Sequence, residues 1–381
     1  MNAQILITMV AGLFILPFFL FSATAGQIAD KLEKSALIHI IKFVEIVLMS
    51  MTAAAFHFNS MWALIALLFF MGAQSAFFGP LKFSILPQLL REDELVAGNG
   101  LVSAGTYIAI LSGTLCGGLF ILHELGRIYI SAGIVGVAVL GWVASLFIPK
   151  APPSDTDVRI DWNVPRATWR ILSDVRPIKV VFRSIIGISW FWFLGSVLLA
   201  QFPSFTKDVL GGHERISTLF LVVFSVGVGC GSTMCNRLLR GRVSGRLIPW
   251  ACAGMSASLA ALYLVCFFTV SGQELIGISE FIRMPASWGV ILSFFAVAAF
   301  GGVFSVPMYA IMQSRSADES RARVVACLNI TDSLFMVMSA VYCSALIILK
   351  LSITEIFLSI GALNLLMTPL LSRLARMDDN E

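Results

Sequence analysis

Charge is scarce in this 381-residue chain. Asp, Glu, Lys and Arg make up 13% of it, about half the usual share of a soluble globular protein. Hydrophobic residues reach 58% and mean hydropathy is +0.90, a balance that excludes a water-solvated globule. There are four histidines and seven cysteines. No cysteine belongs to a CxxC pair or stands at metal-ligand spacing from a histidine, so neither a structural metal nor a dithiol redox site is expected. The cysteines all fall within or at the ends of apolar runs, as small packing residues do. No long basic or acidic tail points to nucleic acid. The G-x-x-x-x-G-K-S/T phosphate loop is missing, which excludes direct ATP use. No His is followed at the fifth position by Asp, no G-x-S-x-G or HExxH occurs, and His123 in HELGR lacks a second His. An enzyme is not expected, nor is a cofactor.

What is present is a series of eleven apolar runs, at residues 3–27, 36–58, 61–80, 97–122, 128–148, 181–203, 216–235, 247–271, 287–311, 323–348 and 352–375. Each approaches or exceeds the ~20 helical residues that cross a ~30 Å hydrocarbon core. The first begins without a basic n-region and continues too far for a signal peptide. The class is therefore an all-α polytopic membrane protein with eleven transmembrane helices. The cations orient it. If the first inter-span loop is cytoplasmic, Arg127, Lys207, Arg215, Arg283 and Lys350 lie outside, Lys42 lies within a span, and the other 20 of the 26 basic residues lie inside. That is the bias of the positive-inside rule. It puts Glu381 in the cytoplasm and Met1 outside.

Loops are short except residues 149–180, a polar cytoplasmic link between five spans (1–148) and six (181–381). Within it, 167–175 reads as a surface helix, with Trp169 and Leu172 as its apolar contacts. Two bundles joined by a long central loop are the layout of the major facilitator architecture. After the first span, GQIADKLEK (26–34) resembles the facilitator loop signature G-x-x-x-D-R/K-x-G-R/K, with Glu33 in place of the second glycine. The resemblance implies a conformational latch made by Gly26, Asp30, Lys31 and Lys34, in which Asp30 faces a helix N-terminus and basic neighbours.

GPLKFSILPQLLREDELVAGNGLVSAGTYIAILSGTLCGG (79–118) resembles the lysophospholipid transporter (LplT) family, including facilitator domains fused to acyltransferase and acyl-carrier-protein synthetase modules. Pro80, Lys82, Phe83, Ile85, Leu86 and Pro87 match its P-x-K-Y/F-x-I-L-P element. Leu95, Val96, Asn99, Gly100 and Leu101 match L-V-x-x-N-G-L, and Gly113, Gly117 and Gly118 match G-x-x-x-G-G. SWFWFLGSVLLAQFP (189–203) and residues 306–341 are similar to the fused members. The resemblance places the first span on the family's second helix. It implies that the family's first helix, with its F-x-N-D-N-like patch, lies outside these residues and that the spans are helices 2–12. It further implies lysophospholipid transport, of lysophosphatidylethanolamine in particular, to the inner leaflet of the bacterial inner membrane. A separate acyltransferase or acyl-carrier-protein synthetase is the implied partner.

Ionisable groups within spans are costly and mark candidate sites. Lys42 and Glu45, at i,i+3, share a helix face and are close enough to pair. They serve either as a structural pair or as a cavity pair offering Lys42 to phosphate and Glu45 to an amine or a proton. Lys82 lies at headgroup depth, where cations attract phosphates. Asn329 and Asp332 share a face near the cytoplasmic start of the tenth span. Substrate binding is therefore expected at Lys42, Glu45, Lys82, Asn329 and Asp332. Helix packing or hinge motion is expected at Pro80, Gly113, Gly117, Gly118, Gly227 and Gly231, whose spacing lets backbones approach. Two other readings remain: a proton-coupled exporter of small amphiphiles, and a non-transporting membrane partner of an acyltransferase.

Overall fold

The computed structural model describes residues 3–121, 123–268 and 276–378. Among the described residues, eleven helices are long and apolar enough to span a bilayer, and they coincide with the eleven apolar runs. In chain order they are α1 (Ala3–Lys31), α2 (Lys34–His57), α3 (Met61–Ser84), α5 (Leu95–Ile121), α6 (Gly126–Ser145), α8 (Lys179–Ser204), α9 (Glu214–Leu239), α10 (Ile248–Phe268), α12 (Pro285–Ser314), α13 (Arg321–Ile348) and α14 (Ile353–Asp378). Three shorter helices, α4 (Leu86–Leu89), α7 (Val164–Val175) and α11 (Ile278–Arg283), complete the set.

The helix ends are closed by local chemistry. Glu33 caps α2 by accepting from the amides of Ser35 and Ala36, and Ser60 caps α3 through the amide of Ala63. Ser352 and Glu355 cap α14 reciprocally, the Ser352 amide donating to Glu355 Oε2 (2.7 Å) and the Glu355 amide to Ser352 Oγ (3.3 Å). α9 ends on Arg240 in the left-handed region, followed by Gly241 at φ +74°, where glycine carries no steric cost.

The chain divides into two compact units, and chain order does not set their limits. One contains residues 1–91, 114–182 and 315–333; the other contains 92–113, 183–314 and 334–381. Three helices, α5, α8 and α13, thus have residues in both.

In the first unit α1 packs on α3, and α2 on α3 and α6. Its buried apolar cluster joins Ala29, Ile38, Leu81, Ile85, Ala151 and Ala322. α2 turns Phe43, Val47 and Met51 outward, and α6 turns out Val137 and Leu140, the composition of a lipid-facing surface. α7 buries Ala167, Ile171 and Val175, one stripe at i,i+4,i+8. Trp169 is 73% exposed. Of the two apolar contacts expected, Trp169 therefore faces outward, whereas Leu172 is half-buried beside the stripe.

In the second unit α12 lies between α9 and α10, and α10 packs on α14. The α9–α12 contact is a glycine seam. A Cβ on Gly227 would lie 2.7 Å from the Phe295 carbonyl, one on Gly231 would overlap the Ala299 carbonyl, and one on Gly302 would lie 2.6 Å from the Ser232 amide. Phe202, Phe205, Phe220, Phe294 and Phe357 form a continuous buried ring cluster, with centroid separations of 4.9–6.0 Å among its closest pairs. No neighbour lies within 4 Å of a Cβ built on Gly113, Gly117 or Gly118. The close packing expected of all five glycines is present at Gly227 and Gly231, and these three α5 glycines face open space.

Candidate functional site

Helix α3 carries the residues that organise the first unit's polar interior. Gln74, Phe78 and Lys82 recur at i,i+4,i+8, so they form one stripe, and that stripe faces the charges of α2. Lys42 Nζ donates to Glu45 Oε2 at 2.8 Å, and Gln74 Nε2 donates to the same oxygen at 2.9 Å. Lys42 also lies 4.7 Å above the Phe78 ring, a cation–π distance. Gly141 of α6 leaves room beside it, a Cβ there standing 3.8 Å from Lys42 Nζ. Lys82 stands a turn beyond Phe78, within electrostatic reach of Lys42. The two charged side chains of the pair are 20% and 21% exposed. The pair is thus largely buried and sits inside a span, where an isolated charge would be costly.

Another face of α3 meets α13. Gly79 packs directly against the Asn329 amide, and any larger residue there would displace it. Asn329 Nδ2 has no hydrogen-bond partner among the described residues, which leaves a donor free in a half-buried setting. Asp332 is half-buried and follows three residues later on the same helical face. Pro80 is buried inside α3, which continues to Ser84 before the short α4; the helix does not break at the proline.

The turn between α1 and α2 binds the start of α13. Asp30 is fully buried; its Oδ1 accepts from the Ala322 amide (2.9 Å) and its Oδ2 from the Arg323 amide (3.1 Å) and Nε (3.0 Å). A carboxylate against the first amides of a helix is favoured by the helix dipole and by charge-assisted hydrogen bonds. Arg323 Nη2 reaches Asp155 at 3.2 Å, so one guanidinium joins α1, α13 and the central loop. Gly26 makes the approach possible: a Cβ there would lie 2.7 Å from Ala326 Cβ.

Lys31 and Lys34 hold the central loop. Lys31 Nζ donates to the Val158 carbonyl (2.9 Å), and fully buried Lys34 donates to Ser154 Oγ (2.6 Å). Glu33, the departure from the loop signature, accepts from the Ala151 amide at 2.8 Å besides capping α2. Partial burial works against its carboxylate. The Ser35 hydroxyl and the amides of Ala151, Ala36 and Ser35 outweigh that cost and hold its pKa down at about 2. On the same loop, a side-chain hydrogen bond from Arg166 lowers the pKa of Asp161.

Three polar links escaped the sequence reading. Gln74 joins the Lys42–Glu45 pair from another helix, and no spacing rule connects residues 29 positions apart. Asn99 and Gln313 exchange two hydrogen bonds (2.6 and 3.1 Å) in the buried interior of the second unit; the motif position of Asn99 was its only signal. Trp190 Nε1 donates to Asn364 Oδ1 (2.8 Å), and Asn364 Nδ2 donates to the Cys252 carbonyl (2.7 Å) and Ser256 Oγ (2.9 Å). Every polar group of this asparagine is satisfied, so it fixes core packing.

Comparison with known proteins agrees with this arrangement of helices. The chain is 27% identical over 314 residues to the lysophospholipid transporter LplT of Enterobacter sp. (strain 638), covering 79% of this chain and 70% of that one. It is 25% identical over 360 residues to LplT of Escherichia fergusonii, covering 92% and 82%. Among solved structures, the human organic anion transporter MFSD10 superimposes with a TM-score of 0.73 at 14% identity over 95% of this chain and 82% of that one. The E. coli fucose:proton symporter FucP does so with 0.68 at 13% over 97% and 90%. The sequence profile of the Major Facilitator Superfamily matches residues 2–282, and the chain belongs to that superfamily.

Proposed function

We propose that this protein carries lysophospholipids, with lysophosphatidylethanolamine as the principal cargo, across the bacterial inner membrane to the leaflet where they are re-acylated. The observation that carries the reading is the Lys42–Glu45–Gln74 cluster beside Lys82, inside spans of a chain similar to LplT proteins along most of its length. A phosphoethanolamine headgroup presents one anion and one ammonium, and the pair offers one partner for each. Exchange of Lys42 and Glu45 from each other to the headgroup keeps every charge compensated, which is what a low-dielectric path demands. The free Asn329 Nδ2 supplies a neutral donor, and Asp332 a second carboxylate.

The Asp30–Arg323–Asp155 contact acts as the latch of one conformational state, with Gly26, Lys31 and Lys34 holding its geometry. Pro80, Gly227 and Gly231 set the rigid helix contacts against which the sequential bundles 1–148 and 181–381 rock. The cation distribution supports a cytoplasmic C-terminus and an outer N-terminus, and the re-acylating enzyme is a separate cytoplasmic-side partner. Leaflet-resolved uptake of labelled lysophosphatidylethanolamine into proteoliposomes tests the site. Lys42→Ala and Lys82→Ala are expected to reduce uptake roughly tenfold or more; wild-type rates in both variants refute the assignment. Glu45, a half-buried carboxylate within a span, supports proton-coupled export of amphiphiles as the second reading. Loss of transport with an uncoupler and in Glu45→Gln, with no flipping of lysophospholipid, selects it.

A further inference from the structure

Outside the spans the outer side is poor in cations, with five by the sequence topology. Two of those five, Lys207 and Arg215, converge on one cavity of the second unit. The cavity has a volume of about 1080 Å3 and is walled by residues 203, 204, 206–208, 212–215 and 277–279. That is slightly above the range, ~300–1,000 Å3, that holds small ligands.

Its frame is rigid. After α8 the backbone makes one π-helical turn, Phe205–Val209. Phe205 and Thr206 are buried in it, and the next two residues, Lys207 and Asp208, are consequently turned outward. The Gly212 amide closes the turn onto the Thr206 carbonyl (2.8 Å), and Ser217 Oγ ties α9 to Thr206 Oγ1 (2.9 Å). The His213 amide donates to the Ile276 carbonyl (3.0 Å), and the Ile276 amide to the Gly211 carbonyl (2.9 Å), fixing the far wall. Gly212 is closely packed, since a Cβ there would lie 2.8 Å from Ile216 Cδ1 and 3.2 Å from Thr206 Cγ2. Glu214 and Arg215 open α9 at the rim.

The charges on this frame differ from those elsewhere on the surface. On the central loop Arg166 pairs with Asp161, and Arg170 with Asp174. Among the described residues, by contrast, no ion pair or side-chain hydrogen bond engages Lys207, Asp208, Glu214 or Arg215. Two cations and two carboxylates therefore stand around one cavity without neutralising one another. A simple anion would meet repulsion from Asp208 and Glu214, and a simple cation would meet it from Lys207 and Arg215. A ligand with both charges is complementary to all four.

We propose that this cavity receives the phosphoammonium headgroup of a zwitterionic lysophospholipid from the outer leaflet, the phosphate at Lys207 and Arg215 and the ammonium at Asp208 and Glu214. The proposal rests on the transport reading above and adds to it an outer loading site distinct from the Lys42–Glu45 cluster. The acyl chain remains in lipid while the headgroup is held, so the site sets affinity and leaves the crossing step to the spans.

The test uses the full chain in nanodiscs, with sn-glycero-3-phosphoethanolamine as a soluble probe, glycerol 3-phosphate and inorganic phosphate as anion controls, and lysophosphatidylethanolamine as competitor. Lys207→Gln/Arg215→Gln is expected to weaken probe binding roughly tenfold, the effect of a few exposed charge contacts. In proteoliposomes it is expected to raise KM for lysophosphatidylethanolamine by a similar factor while kcat stays within about twofold. Asp208→Asn/Glu214→Gln is expected to weaken the phosphoethanolamine probe and leave glycerol 3-phosphate binding equal or tighter. All four residues are on the cavity surface, and unchanged unfolding temperatures verify folding. Competition by lysophosphatidylethanolamine assigns the site to the lipid; its failure to compete assigns it to free headgroups and overturns the lipid proposal. Equal binding of probe and phosphate, wild-type probe affinity in both double variants, or no probe binding by the wild type also overturns it. If the wild type binds the probe through these residues but moves no lysophospholipid, the transport reading fails while the headgroup site stands. If the wild type transports and the variants match it, the loading site alone fails.

Discussion

Replacing Asp30 with Asn tests the latch most directly, because the substitution keeps the shape and removes the charge. In the native arrangement one oxygen accepts from Ala322 N and the other from Arg323 N and Nε. An asparagine retains the first contact, but its NH2 group then faces two donors. Two hydrogen bonds, one of them to a guanidinium, are lost, and the Arg323 charge loses its buried partner. At about 1.5–3 kcal/mol for a hydrogen bond to a charged group, and about 3–5 kcal/mol for breaking a buried pair, the expected cost is about 3–5 kcal/mol. Arg323 keeps Asp155 at 3.2 Å, which places the result toward the lower end. The chain contains its own reporter. Cys327 is fully buried on α13, one residue after the alanine that touches Gly26. Its alkylation rate, followed by mass spectrometry, reads the opening of this contact. A loss of 3–4 kcal/mol corresponds to a roughly 10²- to 10³-fold increase in the opening constant, and the labelling rate is expected to rise accordingly. Asp155→Asn, at a half-exposed position, is expected to raise it only a few-fold. Equal rates in wild type and Asp30→Asn would refute the reasoning, because the hydrogen bonds would then contribute nothing to holding α13.

Glu33 predicts an acid-side effect. Its folded pKa is depressed to about 2, below the ordinary carboxylate value near 4.3, so its contribution is fully present above the unfolded pKa and is lost as pH falls toward 2. The difference in unfolding temperature between wild type and Glu33→Gln is therefore expected to be constant at pH 6–7 and to shrink between about pH 4.5 and 2; a pH-independent difference contradicts the assignment. Gly231→Ala forces a methyl group into the Ala299 carbonyl and is expected to cost about 1–3 kcal/mol, whereas Gly113→Ala, facing open space, is expected to be neutral or stabilising by thermal unfolding. Gly79→Ala is expected to destabilise by displacing the Asn329 amide, and Asn329→Ala in the same chain to restore part of the loss; additive losses in that double-mutant cycle would show that the two positions do not couple.

The helices were legible because the signal for a membrane span is summed over some twenty residues. Eleven runs gave eleven helices, and the local pair Lys42–Glu45 followed from i,i+3 spacing alone. The loop motif also pointed correctly to a helix N-terminus near Asp30. It did not say which helix, since Arg323 lies 293 residues away and sequence periodicity carries no information across that distance. The same holds for Gln74, Asn99–Gln313 and Trp190–Asn364. The α7 stripe was misread for a different reason. Tryptophan is apolar by composition, but Ala167, Ile171 and Val175 form the regular stripe, and regularity decided the buried face over residue size. Glycine spacing was likewise a partial guide. Gly113, Gly117 and Gly118 have as suggestive a spacing as Gly227 and Gly231, and contact depends on the opposite surface.

The manner in which the α1–α2 turn holds the central loop bears on how freely that loop can change. Gln27 Oε1, Asp30 O, Lys31 Nζ, Glu33 Oε1 and Lys34 N engage backbone groups of Ala151, Ser154, Asp155, Val158 and Asp161. Side-chain identity in the loop matters for few of these contacts, whereas the number of residues between Ala151 and Asp161 fixes whether each amide and carbonyl meets its partner. Apart from Ser154, Asp155 and Asp161, whose side chains meet Lys34, Arg323 and Arg166, substitution is then expected to drift readily through this stretch, and insertion or deletion of a single residue to be selected against. Length, more than composition, is the quantity the turn measures.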